Sequence, residues 1–112
     1  IIPMQCEYYA LEGIADLMTT IKLCKKRLNP GLNIEGIVLT MYDARTNLTQ
    51  QVAFELKEYF GGKVYETVIP RSVRLSEAPS HGKPGVAYDR IGKGSRAYMK
   101  LSDEFLKQER RK

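Results

Sequence analysis

Histidine and cysteine are scarce in this chain, and the motifs that cradle phosphates are missing. Its 112 residues include one histidine, His81, and two cysteines, Cys6 and Cys24. One histidine and two distant cysteines do not make a zinc site, whose ligands recur at short spacings. Nor do the cysteines read as a disulfide. With a helix following Cys6, Cys24 lies roughly 27 Å further along the axis at 1.5 Å per residue, far beyond bridging reach. That arrangement suits a reduced setting. No apolar run approaches the ~20 residues that span a bilayer, and no charged-then-apolar leader gives an expectation of secretion. Neither G-x-x-x-x-G-K-S/T nor G-x-G-x-x-G occurs. The nearest approach, Gly92-Lys93-Gly94-Ser95, lacks a preceding buried strand and reads as the plain start of a helix. Without a phosphate-binding loop, its lysine and a metal-binding carboxylate, these residues alone are not expected to catalyse phosphoryl transfer.

What is present is ordinary in bulk and unusual in place. The hydrophobic share of 43% and charged share of 28% are those of a globular protein of one modest domain. Eighteen basic residues against thirteen acidic ones leave a formal charge of +5, a balance that suits a polyanionic partner such as nucleic acid as well as a merely solvated surface. The opening Ile-Ile-Pro-Met-Gln has no initiator methionine and reads as the end of a buried strand. It predicts a piece of something longer.

Hydrophobic spacing predicts a strand at Ile1 to Met4 and a helix from Glu7 to Leu28, with Leu11, Ile14, Leu17, Met18, Ile21, Cys24 and Leu28 at helical intervals. Asn29-Pro30-Gly31 stops that helix. A strand apolar on both faces follows from Ile34 to Tyr42, then a loop in which Thr46 or Asn47 can cap the next helix. Leu48 to Phe60 is that helix, with Leu48, Val52, Leu56, Tyr59 and Phe60 on one side. Lys63 to Ile69 is a third strand, Val86-Ala87-Tyr88 a short extended segment, and Ser95 to Lys107 a closing helix with Tyr98, Leu101 and Phe105 inward. Alternation of this kind predicts an α/β fold, a parallel sheet with flanking helices joined by right-handed crossovers.

The most informative stretch is Val68 to Pro84, which reads as a long polar loop at the end of a buried strand. Loops of that length in compact domains are usually functional, and strand ends are where open α/β sheets bind ligands. Parallel strands gather their carboxyl ends, so Asp43, Arg45, Arg71, Arg74 and Glu77 are expected on one face. Exposed arginines there suit phosphate backbones. The competing reading pairs Arg71 or Arg74 internally with Asp43 or Glu77. His81 carries no assigned role.

The segments Pro3-Met4-Gln5-Cys6-Glu7-Tyr8-Tyr9-Ala10-Leu11-Glu12-Gly13, Leu39-Thr40-Met41-Tyr42-Asp43-Ala44-Arg45-Thr46-Asn47-Leu48 and Val68 to Pro84 resemble the ParA/Soj family of chromosome- and plasmid-partitioning ATPases. The likeness runs over essentially the whole chain. It implies the C-terminal portion of a P-loop NTPase fold, downstream of the P-loop, as a single α/β segment over residues 1–112. It further implies a cytoplasmic, nucleoid-associated parent that uses ATP and Mg2+, forms an ATP-dependent homodimer, binds non-specific DNA and answers to a ParB-type centromere-binding protein. By the same resemblance Arg45 and Arg74 are DNA contacts, and Met41, Tyr42, Ile69, Pro70 and Arg71 form the adenine-side wall of the nucleotide site; Lys83 and Lys93, basic and nearby in sequence, are expected as weaker electrostatic helpers. No cofactor is expected for these residues alone. The chain departs from the family pattern at Gly85, Arg90 and Gly92-Lys93-Gly94, which leaves the start of the last helix open. Two alternatives compete: a stand-alone, non-catalytic α/β module that binds a protein partner through the long loop, and a division-site ATPase relative acting at a membrane. The ordinary core spacing of the final helix disfavours the second.

Overall fold

The computed structural model describes residues 1–7 and 10–112. A three-stranded parallel sheet in the order β1-β2-β3 forms its centre, with β1 at Ile2–Gln5, β2 at Ile37–Tyr42 and β3 at Val64–Pro70. Helices α1 (Ala10–Arg27) and α2 (Asn47–Phe60) connect the strands in turn. Helix α5 (Lys93–Arg110) closes the chain after two short turns of helix, α3 (Val73–Glu77) and α4 (Gly85–Tyr88). The expected α/β alternation and parallel sheet are therefore present. The first helix, expected from Glu7, is described from Ala10: Glu7 lies in a bend, Tyr8 and Tyr9 are outside the described residues, and Leu28, predicted on its apolar face, lies beyond α1 and is exposed.

Alternation along β2 separates two cores. Ile37 and Leu39 are fully buried and pack with Ile2, Met4, Ile14, Val52 and Leu56, so that face of the sheet meets α1 and α2. Val38 points the other way and joins Tyr65 and Ile69 against Leu75, Ala97, Leu101 and Phe105, which places α5 on the opposite face. A period of two along the strand thus sends neighbours to different helical layers, and the continuous apolar run is what a sheet covered on both faces requires. Leu101 and Phe105 take the inward positions expected of them. Tyr98 does not: it is 42% exposed, and Ala97 occupies the core-facing position instead. Tyr59, expected inward on α2, is 77% exposed and meets the ring of Phe60 edge-on.

The outer strand β3 is irregular, and one side chain from α5 completes it. Ile37 pairs with Val64 and Leu39 with Val68, so four steps along β3 match two along β2. The extra residues form a bulge whose backbone donors have no ladder partner. The Glu104 carboxylate accepts the N–H of Glu66 and the N–H of Thr67, each at 2.9 Å. Burial raises the pKa of Glu104, but the bonds from Thr67 and Glu66 and the nearby Lys100 outweigh it, and the net direction is downward.

Candidate nucleic-acid interface

The carboxyl ends of β2 and β3 lie side by side, with Tyr42 in register opposite Pro70. At the end of β2 the backbone turns sharply: Met41 has φ of 51°, in the left-handed region that non-glycine residues seldom occupy. Asp43 then organises the turn. Its Oδ1 accepts the Arg45 N–H at 3.0 Å, and its backbone carbonyl accepts the Thr46 N–H at 3.1 Å. Thr46 caps α2, its hydroxyl oxygen accepting the N–H of Thr49 at 3.2 Å. Of the two expected capping residues, Thr46 is the one used. Replacing Thr46 with alanine removes that acceptor and is expected to lower stability by about 1 kcal/mol, read as a lower urea midpoint with an unchanged slope.

Arg45 stands on this turn with its side chain 89% exposed. Its guanidinium forms a fork with Asp43, Nε to Oδ1 at 3.0 Å and Nη2 to Oδ2 at 3.1 Å. The Arg45 side chain is the leading reason that the Asp43 carboxyl is held below its usual range, followed by the backbone bond from Arg45, with Arg71 adding a smaller charge effect. Arg71 therefore lies near enough to Asp43 for the two strand ends to share one electrostatic neighbourhood. The internal pairing offered as a rival reading does occur for Arg74, which meets Glu77 as that reading allowed and Asp89 besides. Arg45 takes Asp43, Arg74 takes Glu77 and Asp89, and Arg71 forms no ion pair among the described residues.

The segment after β3 is not the irregular loop that its prolines and polar residues predict. Ser72 caps α3, accepting the Leu75 N–H at 3.4 Å, and a 3-10 turn over Ala78–His81 begins with Pro79 in its first turn. Gly82, with φ of 64°, ends that turn in a left-handed conformation that glycine adopts without steric cost. Val86-Ala87-Tyr88, expected to be extended, lies in α4, because Ala87, Tyr88 and Asp89 donate back to the carbonyls of Pro84, Pro84 and Gly85.

Glycines make the folded-back segment fit, and they account for part of the departure from the family pattern. The Leu75 side chain sits against both Gly85 and Gly94, and a Cβ at either would collide with it. Ser95, buried, donates its hydroxyl to the carbonyl of Gly85 at 3.0 Å. Gly92-Lys93-Gly94-Ser95 is thus a helix start packed on Leu75, as its lack of phosphate-loop spacing suggests. Nothing in the structure explains Arg90.

Arg74 projects from α3 with its side chain 55% exposed. Its Cζ lies 4.8 Å from the centroid of the Tyr88 ring, and its nitrogens approach Glu77 at 3.6 Å and Asp89 at 3.7 Å. Tyr88 donates its hydroxyl to Glu77 at 2.9 Å, and His81 stacks on the Tyr88 ring at 4.7 Å. That bond to Glu77, ahead of burial, raises the Tyr88 pKa. Tyr88, Asp89 and His81 were not expected at the site; an aromatic-acidic pair beside a second basic loop is the only sequence signal for them. Lys83 and Lys93 are exposed and form no ion pair among the described residues.

The family profile described as "CobQ/CobB/MinD/ParA nucleotide binding domain" matches residues 5–85. The chain belongs to the ParA/MinD nucleotide-binding family. Among relatives of this ParA-type chain, the sporulation initiation inhibitor protein Soj of Bacillus subtilis is 60% identical over 93% of the chain and 41% of its own length. The chromosome partitioning protein ParA of Caulobacter vibrioides is 54% identical over 97% of the chain and 41% of its own length. The chromosome-partitioning ATPase Soj of Treponema pallidum is 52% identical over 94% of the chain and 42% of its own length. The ParA-type chain thus spans about two fifths of the length of the curated relatives it matches. Among its described residues no helix is long and apolar enough to cross a membrane, and no group of three or more His, Cys, Asp or Glu side chains is placed to hold a metal.

Proposed function

We propose that this chain is the C-terminal segment of a ParA/Soj-type partitioning ATPase and supplies part of its DNA-binding face. The observation that carries the reading is the placement of Arg45 and Arg74, exposed arginines in the segments that follow the neighbouring carboxyl ends of β2 and β3, in a chain about half or more identical to partitioning proteins. A guanidinium offers a phosphate two parallel hydrogen bonds and a charge without reading base edges, so such a face binds duplex regardless of sequence. Lys83 and Lys93 add weaker, longer-range attraction.

The nucleotide enters the same reading. Met41 with its left-handed backbone, Tyr42, Ile69, Pro70 and Arg71 stand at the carboxyl ends of β2 and β3; the Ile69 side chain is buried on the α5 face, so an adenine ring would meet its backbone and the side chains that follow it, beside the Arg71 cation. ATP would supply the phosphoanhydride whose hydrolysis resets binding. Its phosphates and Mg2+ would be held by residues other than these 112. Homodimerisation in ATP, a ParB-type partner and a cytoplasmic, nucleoid-associated setting belong to the same proposal. The test is binding of the full gene product carrying these residues to random-sequence duplex DNA with ATP and Mg2+, with ADP, and without nucleotide. Tight binding confined to ATP is expected. Equal binding in all three conditions overturns the nucleotide coupling, and none in any condition overturns the DNA assignment.

A further inference from the structure

Arg74 is shared by two carboxylates and an aromatic ring. Glu77 approaches it from the same helical turn at 3.6 Å and Asp89 from the C-terminal end of α4 at 3.7 Å, with the Tyr88 ring beneath its Cζ at 4.8 Å. The Tyr88 hydroxyl fixes Glu77 by a 2.9 Å hydrogen bond, and His81 packs on the Tyr88 ring. Asp89 is equally built in: its side chain is 21% exposed, and its carboxylate fills the space left where Gly92 has no Cβ. Each carboxylate therefore has a contact of its own besides Arg74, Glu77 with the Tyr88 hydroxyl and Asp89 with the backbone at Gly92.

Two features decide what this arrangement does. The local balance is one guanidinium against two carboxylates, so the immediate surroundings of Arg74 repel a phosphate. The ion-pair distances are also longer than good N–H···O hydrogen bonds, so the guanidinium is held by charge and ring contact, with its donors uncommitted. A phosphate can draw it away, at the cost of separating it from Glu77 and Asp89. Arg45 differs, for its fork with Asp43 is at full hydrogen-bond length and faces a single carboxylate.

We infer that Glu77, Asp89 and Tyr88 form a clasp that withholds Arg74 from polyanions, and that the two carboxylates set how tightly this edge binds duplex. The inference rests on the DNA-binding reading above and adds to it residues that act through Arg74. They are positioning residues, because none of them is required to touch the nucleic acid.

The experiment compares the full gene product with its Glu77→Gln/Asp89→Asn, Arg74→Ala and combined Arg74→Ala/Glu77→Gln/Asp89→Asn variants, measuring affinity for random-sequence duplex in ATP. The carboxylate variant is expected to bind about three- to tenfold tighter than the parent. In the Arg74→Ala background the same two changes are expected to have less than about a twofold effect, the non-additivity of groups that act through one another. Tightening that persists without Arg74 means general charge repulsion and overturns the clasp. So does an unchanged affinity in the carboxylate variant. Arg74→Ala that binds as tightly as the parent overturns the underlying DNA assignment instead, which separates the two failures. Tyr88→Phe keeps the ring under Arg74 and removes only the hydroxyl that fixes Glu77. It is expected to shift affinity in the same direction, and it keeps the test open if the double variant does not fold.

Discussion

Replacing Arg45 and Arg74 together with alanine is expected to weaken binding of random-sequence duplex DNA by about ten- to a hundredfold near physiological salt, the scale of losing two charge-assisted contacts. The loss is the same for every duplex sequence, because phosphate contacts position a protein without reading bases. Arg45 is expected to contribute the larger part. It is the more exposed of the two, and removing it leaves the Asp43 carboxylate uncovered at the same strand end. Arg45→Lys keeps the charge and loses the fork, so it is expected to recover only part of the affinity. Competition binding against duplexes of unrelated sequence checks both statements. A loss confined to one sequence would point to base contacts that this edge does not offer.

Glu104→Ala is expected to lower folding stability by about 1–3 kcal/mol, the effect of leaving the buried Thr67 donor, and the exposed Glu66 donor beside it, without a charged acceptor. The N–H groups of Glu66 and Thr67 sit in a bulge that β2 cannot pair, and Thr67 is buried. Glu104→Gln retains one acceptor oxygen and is expected to cost less than alanine. Chemical denaturation of the full gene product and the two variants at neutral pH checks the order. The pH dependence has a definite sign. Glu104 and Asp43 both have folded-state pKa values below their ordinary ones. Their contribution is complete above the unfolded carboxylate range and is lost as pH falls through the folded values, which lie lower. The Glu104→Gln variant is expected to show a flatter loss over that window than the parent.

Much of this architecture is legible in the residues, for identifiable reasons. Ile37 to Leu39 is apolar on both faces because two helical layers cover it, and a short, β-branched apolar run between turn signals reads as a covered parallel strand. Thr46 announces the next helix through its hydroxyl, and Arg45 and Asp43 are recognisable as exposed strand-end chemistry once parallel order is assumed. The segment after Pro70 is harder to read, since its prolines and charged residues look like loop while Ser72, Leu75 and Glu77 begin a helical turn. What folds that turn back is Leu75 lodged against Gly85 and Gly94, a contact between residues far enough apart that no local pattern reports it. Tyr98 and Ala97 show the same limit in miniature: one residue of helical phase decides which side faces Val38 and Tyr65. The clasp on Arg74 depends on Asp89 and Tyr88 returning beside α3, so charge and spacing alone do not show it.

The salt dependence of duplex binding tests the central claim most directly. For the full gene product in ATP, the logarithm of the binding constant is measured against the logarithm of salt concentration, alongside the Arg45→Ala/Arg74→Ala variant. Each lost phosphate contact lowers the magnitude of the slope by about 0.9, so the variant is expected to be shallower by about 1.8. An unchanged slope, with or without a change in affinity, would contradict the assignment of these two arginines to the DNA backbone.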